Sequence, residues 1–258
     1  VKAGLFAVRP LDEWIDPSSR LLPNDDAATG TVYPFAVIAR NVACFEDEPS
    51  ERLPLQRAFQ SVRSEGDRPS AIRLAEDAPG VHFTVPQGHR AVLDLYGRQL
   101  KGISNEPVIT VERGASLVIV DSVGGGTITK ERGRPYDLDS QGAIVNFGEL
   151  TLAGGAITNC FGEAFGGVSN AVGATFIMTG GSIVGCGTTT IHLGVDDQSA
   201  GGVFNSGTFW MTGGEIADCE AIRSVMGVNN DRDAVFRQLG GIIRGGTFGG
   251  PTMGVSVF

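Results

Sequence analysis

In the second half of the chain, apolar and polar positions alternate in short runs that end at glycine pairs. Three segments align: Gly148-Glu-Leu-Thr-Leu-Ala-Gly-Gly-Ala-Ile-Thr-Asn-Cys160, Ala174-Thr-Phe-Ile-Met-Thr-Gly-Gly-Ser-Ile-Val-Gly-Cys186 and Gly207-Thr-Phe-Trp-Met-Thr-Gly-Gly-Glu-Ile-Ala-Asp-Cys219. In each, two large apolar residues stand two apart: Leu150 and Leu152, Phe176 and Met178, Phe209 and Met211. The glycine pair follows, then Ile157, Ile183 or Ile216, then a cysteine. Alternation of period two leading into a glycine corner predicts strands rather than helices.

A second register lies just upstream of the first. Gly142-Ala-Ile-Val-Asn146, Gly166-Gly-Val-Ser-Asn170 and Gly201-Gly-Val-Phe-Asn205 each set an apolar residue and an asparagine at fixed offsets from a glycine. One repeat therefore reads as strand, turn, strand, glycine corner, strand. Repeats of this size with loops of varying length predict a β-solenoid, in which each strand bonds to its equivalent about 4.8 Å above and below. Equivalent residues then stack into ladders, with large apolar side chains filling the interior.

Upstream the repeats decay but the strand signal persists. Ala71–Leu74, Val81–Val85, Ala91–Leu95, Val108–Val111 and Leu117–Val120 are short runs rich in β-branched residues, separated by turn residues such as Pro86-Gln-Gly88 and Arg113-Gly114. Leu55, Ala58, Phe59 and Val62 have helical spacing between Pro54 and Gly66, predicting one amphipathic helix. A stacked rod exposes its interior and unpaired backbone at each end, so this helix is expected to cover the N-terminal end. The chain thus divides into an accessory or attachment segment 1–50, a capping helix 51–66 and a parallel β-helix 67–258. Within the first segment, Phe35-Ala-Val-Ile-Ala39 is the one strand-like run.

Composition sharpens this picture. Glycine accounts for 38 of 258 residues, about twice the ordinary share of roughly 7%. Without a Gly-X-Y period, and with 41% hydrophobic and 19% charged residues, the excess points to coil corners, not to collagen or disorder. No apolar run approaches the roughly 18 residues of a spanning helix, so no membrane span is expected. The net charge of −9 repels phosphate backbones, which argues against a nucleic-acid partner. The densest basic cluster, Lys130-Glu131-Arg132-Gly133-Arg134, reads as a solvated loop.

The succession of cap helix, IRLAEDAPGVHFTVPQGHRAVLDLYGRQLKG, PVITVERGASLVIVDSVGGGTIT and repeats such as GGVFNSGTFWMTGGEIADC resembles the β-helical modules of bacterial cell-surface, adhesin-like proteins. Those belong to the right-handed, pectate-lyase-like superfamily. The likeness spans residues 36–250, and Gly-x-Phe-x-Met-x-Gly-Gly-x-Ile is its most specific motif. A weaker echo of the Gly-Gly-Ala-Ile repeats of polymorphic outer-membrane proteins occurs at Gly154–Ile157. The resemblance implies an all-β fold, a right-handed parallel β-helix, and an extracellular or cell-surface scaffold. Cys160, Cys186 and Cys219 depart from it, since that position is usually polar.

Candidate chemistry is sparse. The three cysteines share one ladder position; buried thiols, a disulfide between two of them and a metal site are the readings open. Cys44 has no evident partner. Asn146, Asn170 and Asn205 form a second ladder, expected to be structural because stacked amides bond to each other and to turn backbone. Asp137-Leu-Asp139-Ser-Gln141 is similar to the start of a calcium loop, but Gly148 stands where the bidentate glutamate belongs. The insert 187–199 holds His192, Asp196 and Asp197; it is the candidate binding loop, with a solvated turn as the plainer reading. His82 and His89 suggest no partnership. Nucleophile-elbow, H-E-x-x-H and phosphate-cradling motifs are absent, so no catalytic residue, metal or cofactor is assigned.

The expected function is a non-catalytic, adhesin-like surface or appendage module that presents a binding face to a glycan or protein surface. A virion head fibre or spike, attached to a capsid partner through residues 1–50, is an alternative. A polysaccharide-active lyase or hydrolase using the 187–199 insert is another. Homo-oligomerisation is compatible with each.

Overall fold

Short strands of alternating burial need a partner on both edges, and the chain supplies it by returning to the same three sheets again and again. A computed structural model describes residues 4–6, 19–23, 35–39, 41–62, 70–103, 105–130, 141–189, 199–221, 226–245 and 255–257. From Ser70–Leu74 onward, successive strands enter sheet I, sheet II and sheet III in that fixed order. Sheet I holds Ser70–Leu74, Arg90–Asp94, Ser116–Val120, Glu149–Leu152, Thr175–Met178, Thr208–Met211 and Val235–Gln238. Sheets II and III are each seven-stranded and run from Ala78–Val81 to Ile242–Ile243 and from Phe83–Val85 to Val255–Val257. Every neighbouring pair along these circuits is parallel. The architecture is all-β with parallel sheets, consistent with the solenoid that the repeats predict.

Register follows the sequence repeats residue for residue. Leu150, Phe176 and Phe209 pair in a row, as do Leu152, Met178 and Met211; Ile157, Ile183 and Ile216 form the matching row in sheet II. All of these side chains are buried. Phe176, Phe209 and Phe236 stack with ring centroids 4.6 and 5.0 Å apart. Complete burial of each such side chain contributes about 1.5–3 kcal/mol.

The glycine pair between sheets I and II has two separate causes. A Cβ on Gly180 would lie 2.5 Å from the carbonyl oxygen of Ala153 in the circuit below, so the first glycine permits close backbone approach. Gly181 has φ +68°, a left-handed conformation that side chains resist. The same pair recurs at Gly240-Gly241, and the repeat there continues for one more circuit.

Three elements differ from their expected form. The helix spans only Leu55–Gln60, ending at Ser61, and Val62 is buried outside it. It has no side-chain cap and no acidic residue in its first turn, so burial must sustain so short a helix. Leu55, Ala58 and Phe59 supply it, with Phe59 stacked 4.4 Å from Phe83. The run 81–85 is two strands, Ala78–Val81 and Phe83–Val85, turning at His82. Ala43–Phe45, within the accessory or attachment segment and not expected as a strand, pairs antiparallel with Ser70–Leu74 and with Arg52–Leu53 at the edge of sheet I. By contrast, Gly4–Phe6, Ser19–Pro23 and Phe35–Ala39 form an antiparallel sheet of their own. No helix among the described residues is long and apolar enough to cross a membrane.

Candidate functional site

The three corners of each circuit differ in how much chain they carry. Between sheets I and II the connectors are 75–77, 95–98, 121–126, 153–155, 179–181, 212–214 and 239–241. Between sheet III and the next strand of sheet I they are also short: 86–89, 112–115, 147–148, 171–174, 206–207 and 231–234. Between sheets II and III the connector is residue 82 alone in the first circuit, then 103–108, 131–143, 159–167, 185–202, 218–227 and 244–254. Extra chain is therefore confined to one corner. Because strands on both sides are stacked, the connectors of successive circuits emerge in a column. Loops carried by rigid strands are where binding and specificity concentrate.

The short corner after sheet III is locked by the asparagines. Asn146 donates from Nδ2 to Oδ1 of Asn170 (2.8 Å), Asn170 to Asn205 (2.7 Å), and Asn205 to Asn230 (2.6 Å). Each of the first three amides also donates to a backbone carbonyl one circuit on, those of Thr175, Thr208 and Val235. All four side chains are buried. Their polar atoms are spent on one another and on turn backbone, which is a structural role. Asn230 is a rung that sequence reading missed, because Met226 stands where the other repeats begin with glycine.

The variable corner begins with the cysteines. Each follows a residue in the left-handed conformation: Asn159 at φ 53°, Gly185 at 62°, Asp218 at 50°. Asparagine, glycine and aspartate are the residues that tolerate it, and this turn aims the next side chain inward. The Sγ atoms of Cys160, Cys186 and Cys219 lie 3.7, 3.6 and 3.7 Å from the carbonyl oxygens of Ile128, Ile157 and Ile183 one circuit earlier. All four cysteines are free and buried. Burial, with repulsion from Cys186 next, pushes the Cys219 thiol up to about 12, and burial with hydrogen bonding to Cys160 raises Cys186 well above its ordinary value. Cys186 and Cys219 are therefore protonated near neutral pH, and a protonated thiol is neither a good nucleophile nor a good metal ligand. Among the described residues, no three His, Cys, Asp or Glu side chains gather as a metal site.

Beyond the cysteines, neighbouring connectors bond to one another before they diverge. Phe161–Gly162 pairs with Gly187–Thr188, and isolated bridges join Gly187 to Glu220 and Phe165 to Ala200. The base of the column is thus ordered by backbone pairing. His192, Asp196 and Asp197 lie outside the described residues, between the buried Thr188, Thr189 and Ser199, and Asp137 and Asp139 also lie outside them. Lys130 departs from its expected place in a solvated loop: it is buried at the end of Thr127–Lys130 and its Nζ donates to the Gln141 carbonyl. Its even-numbered alternation with Ile128 turns it to the inner side of the strand.

One charged cluster escaped sequence reading because its members are far apart in the chain. Arg73 reaches Glu46 (3.0 Å) and Asp94 (3.7 Å) and lies 4.4 Å over the Tyr96 ring. Asp94 accepts from the Tyr96 and Ser122 amides and from Ser122 Oγ. Its oxygens are occupied, so the cluster ties the antiparallel edge strand to the first circuits. His82 does have a partner, with Nδ1 2.6 Å from the Pro107 carbonyl oxygen.

Comparison of the chain with protein families, with curated proteins and with solved structures finds no match. The reading of its role therefore rests on the geometry of the column.

Proposed function

We propose that the chain is a non-catalytic surface or appendage module: a right-handed parallel β-helix whose second-to-third-sheet corner displays a column of loops to a glycan or protein surface. Helix Leu55–Gln60 covers the N-terminal end of this rod. The observation that carries the reading is the confinement of extra chain to one corner while the other two stay short. Insertions scattered over all corners would suit a scaffold without a favoured side. The separate antiparallel sheet formed by Gly4–Phe6, Ser19–Pro23 and Phe35–Ala39 supports attachment through the N-terminal segment, to a cell surface or to a virion.

The test replaces residues 190–198 with a short Gly-Ser link and measures binding on glycan and cell-surface protein arrays. Loss of the parent protein's ligands with a melting temperature within a few degrees of the parent's supports the display role. Equal binding by parent and variant, or turnover of a polysaccharide by the parent, overturns it.

A further inference from the structure

We infer that the outer face of sheet I around Trp210 is a platform for a neutral polysaccharide. In Thr208–Met211 the alternation sends Phe209 and Met211 inward, where both are buried, and leaves Trp210 outward and 42% exposed. Trp210 stands in register with Ile177 in the circuit before and Arg237 in the circuit after. Earlier members of this outward row are Val92, Val118 and Thr151, all smaller. An indole in water at this place gains nothing for the core, whose positions are filled by the residues on either side of it.

Threonines frame the ring. Thr208 pairs in register with Thr175, while Thr212 and Thr179 directly follow the paired Met211 and Met178. Thr208 and Thr212 are separated by four residues, about 13 Å along the strand, and successive rungs by about 4.8 Å. Thr208, Trp210 and Thr212 thus alternate with the buried Phe209 and Met211, and the Thr212 hydroxyl donates to the Met178 carbonyl oxygen (3.5 Å), which leaves its lone pairs to accept. A pyranose presents C–H groups on a face and hydroxyls at its rim. The electron-rich indole face attracts the former, and threonines both donate to and accept from the latter.

Charge selects among sugars. On a chain of net charge −9, the outward positions of these two strands, Thr175, Ile177, Thr208 and Trp210, carry none. Glu149, aligned with Thr175, and Arg237, aligned with Trp210, bound the patch with opposite signs. A polyuronate would meet one arginine against a net negative protein, whereas an uncharged chain meets no such opposition. This face belongs to sheet I, apart from the corner column: a glycan held here is kept when residues 190–198 are exchanged and lost in W210A, whereas a ligand of the loops does the reverse.

The experiment is affinity electrophoresis of the full chain in gels containing xylan, galactomannan or dextran, with polygalacturonate as the charged control. Indole emission is followed in a Trp14→Phe background so that Trp210 alone reports. At least one neutral polysaccharide should retard the protein and shift its emission. W210A should weaken retardation at least about tenfold, W210F should keep most of it, and the pair T208V and T212V should weaken it several-fold with the emission intact. The melting curve of each variant should match the parent, since all three positions face outward. Absence of retardation by every neutral polymer, stronger retardation by polygalacturonate, or parent-like binding by both W210A and the threonine pair would overturn the inference. So would conversion of an oligomer to a monomer by W210A, which would assign the face to a second copy.

Discussion

The corner after sheet III and the corner after sheet II belong to the same circuits yet obey opposite rules. At the first, Asn146, Asn170, Asn205 and Asn230 bond amide to amide over four circuits, and the connectors stay at two to four residues. At the second, backbone pairing fixes only the base, and connectors range from residue 82 alone to 185–202. Register is therefore carried by side-chain ladders and glycine corners, and the corner whose cysteine ladder and backbone pairing hold only its base is free to vary beyond it. Connector length can then change at that corner without changing how the strands stack.

The sharpest way to break the contrast is to remove a rung. Asn170→Ala deletes the bonds to Asn205 and Thr208 and the acceptor for Asn146. Buried groups left unpaired cost about 1–3 kcal/mol each, so chemical denaturation should show a loss of roughly 3 kcal/mol or more. A loss under about 1 kcal/mol would mean that the ladder is incidental. Asn170→Asp should be worse at pH 7 than at pH 4. A buried carboxyl has a raised pKa in the folded state, so its penalty is absent at low pH and grows as pH rises past its unfolded value near 3.9.

Glycine substitutions separate crowding from backbone strain. At Gly173 (φ +79°) a Cβ meets nothing within 4 Å, whereas at Gly181 (φ +68°) it would lie 2.7 Å from the Gly155 carbonyl oxygen. Gly173→Ala should therefore cost about 1–2 kcal/mol, the left-handed penalty alone. Gly181→Ala should exceed it measurably in the same denaturation series. Equal losses would leave the left-handed backbone as the whole reason for glycine at 181, with no added cost from close approach there.

Much of this was legible in the sequence because a ladder makes its position repeat. Leu152, Met178 and Met211 or the three asparagines are recognisable without coordinates, as is the glycine pair beside them. Gln99–Gly102 and Thr127–Lys130 carry little strand signal of their own, since their composition is weak and their partners are strands one circuit away in the chain. The apolar spacing predicts a longer helix because it persists at Val62, although the chain has already left helical bonding at Ser61. The Arg73 cluster and Asn230 had no local signature. Trp210 was visible, but its outward direction emerges only when Phe209 and Met211 are seen to be buried on either side.

The cysteine column gives a milder contrast. With Cys219 raised to about 12 by burial, the folded chain holds a proton that the unfolded chain releases from about pH 8.5. Its contribution is full below that pH and is lost as pH rises toward 12. Midpoints of urea unfolding should fall between pH 8 and 11, with a shallower slope in Cys219→Ala. At pH 8 an uncharged thiol reagent should leave Cys160, Cys186 and Cys219 untouched in the folded protein and label them in denaturant. Rapid labelling of the folded protein would contradict their burial.

The smallest stability change belongs to the variable corner. Loop length enters closure entropy only logarithmically, about 0.6 kcal/mol per doubling, so exchanging 190–198 for a short link should move the melting temperature by only a few degrees.

Hydrogen exchange on that loop-exchanged protein, followed by peptide-resolved mass spectrometry, tests the independence of register from connector length most directly. The amides of Val168–Asn170 and Val203–Asn205, which flank the exchanged connector in the stack, should keep the protection they have in the parent chain. Loss of protection across both strands would show that the connector helps to hold the register, and that the two corners are not independent.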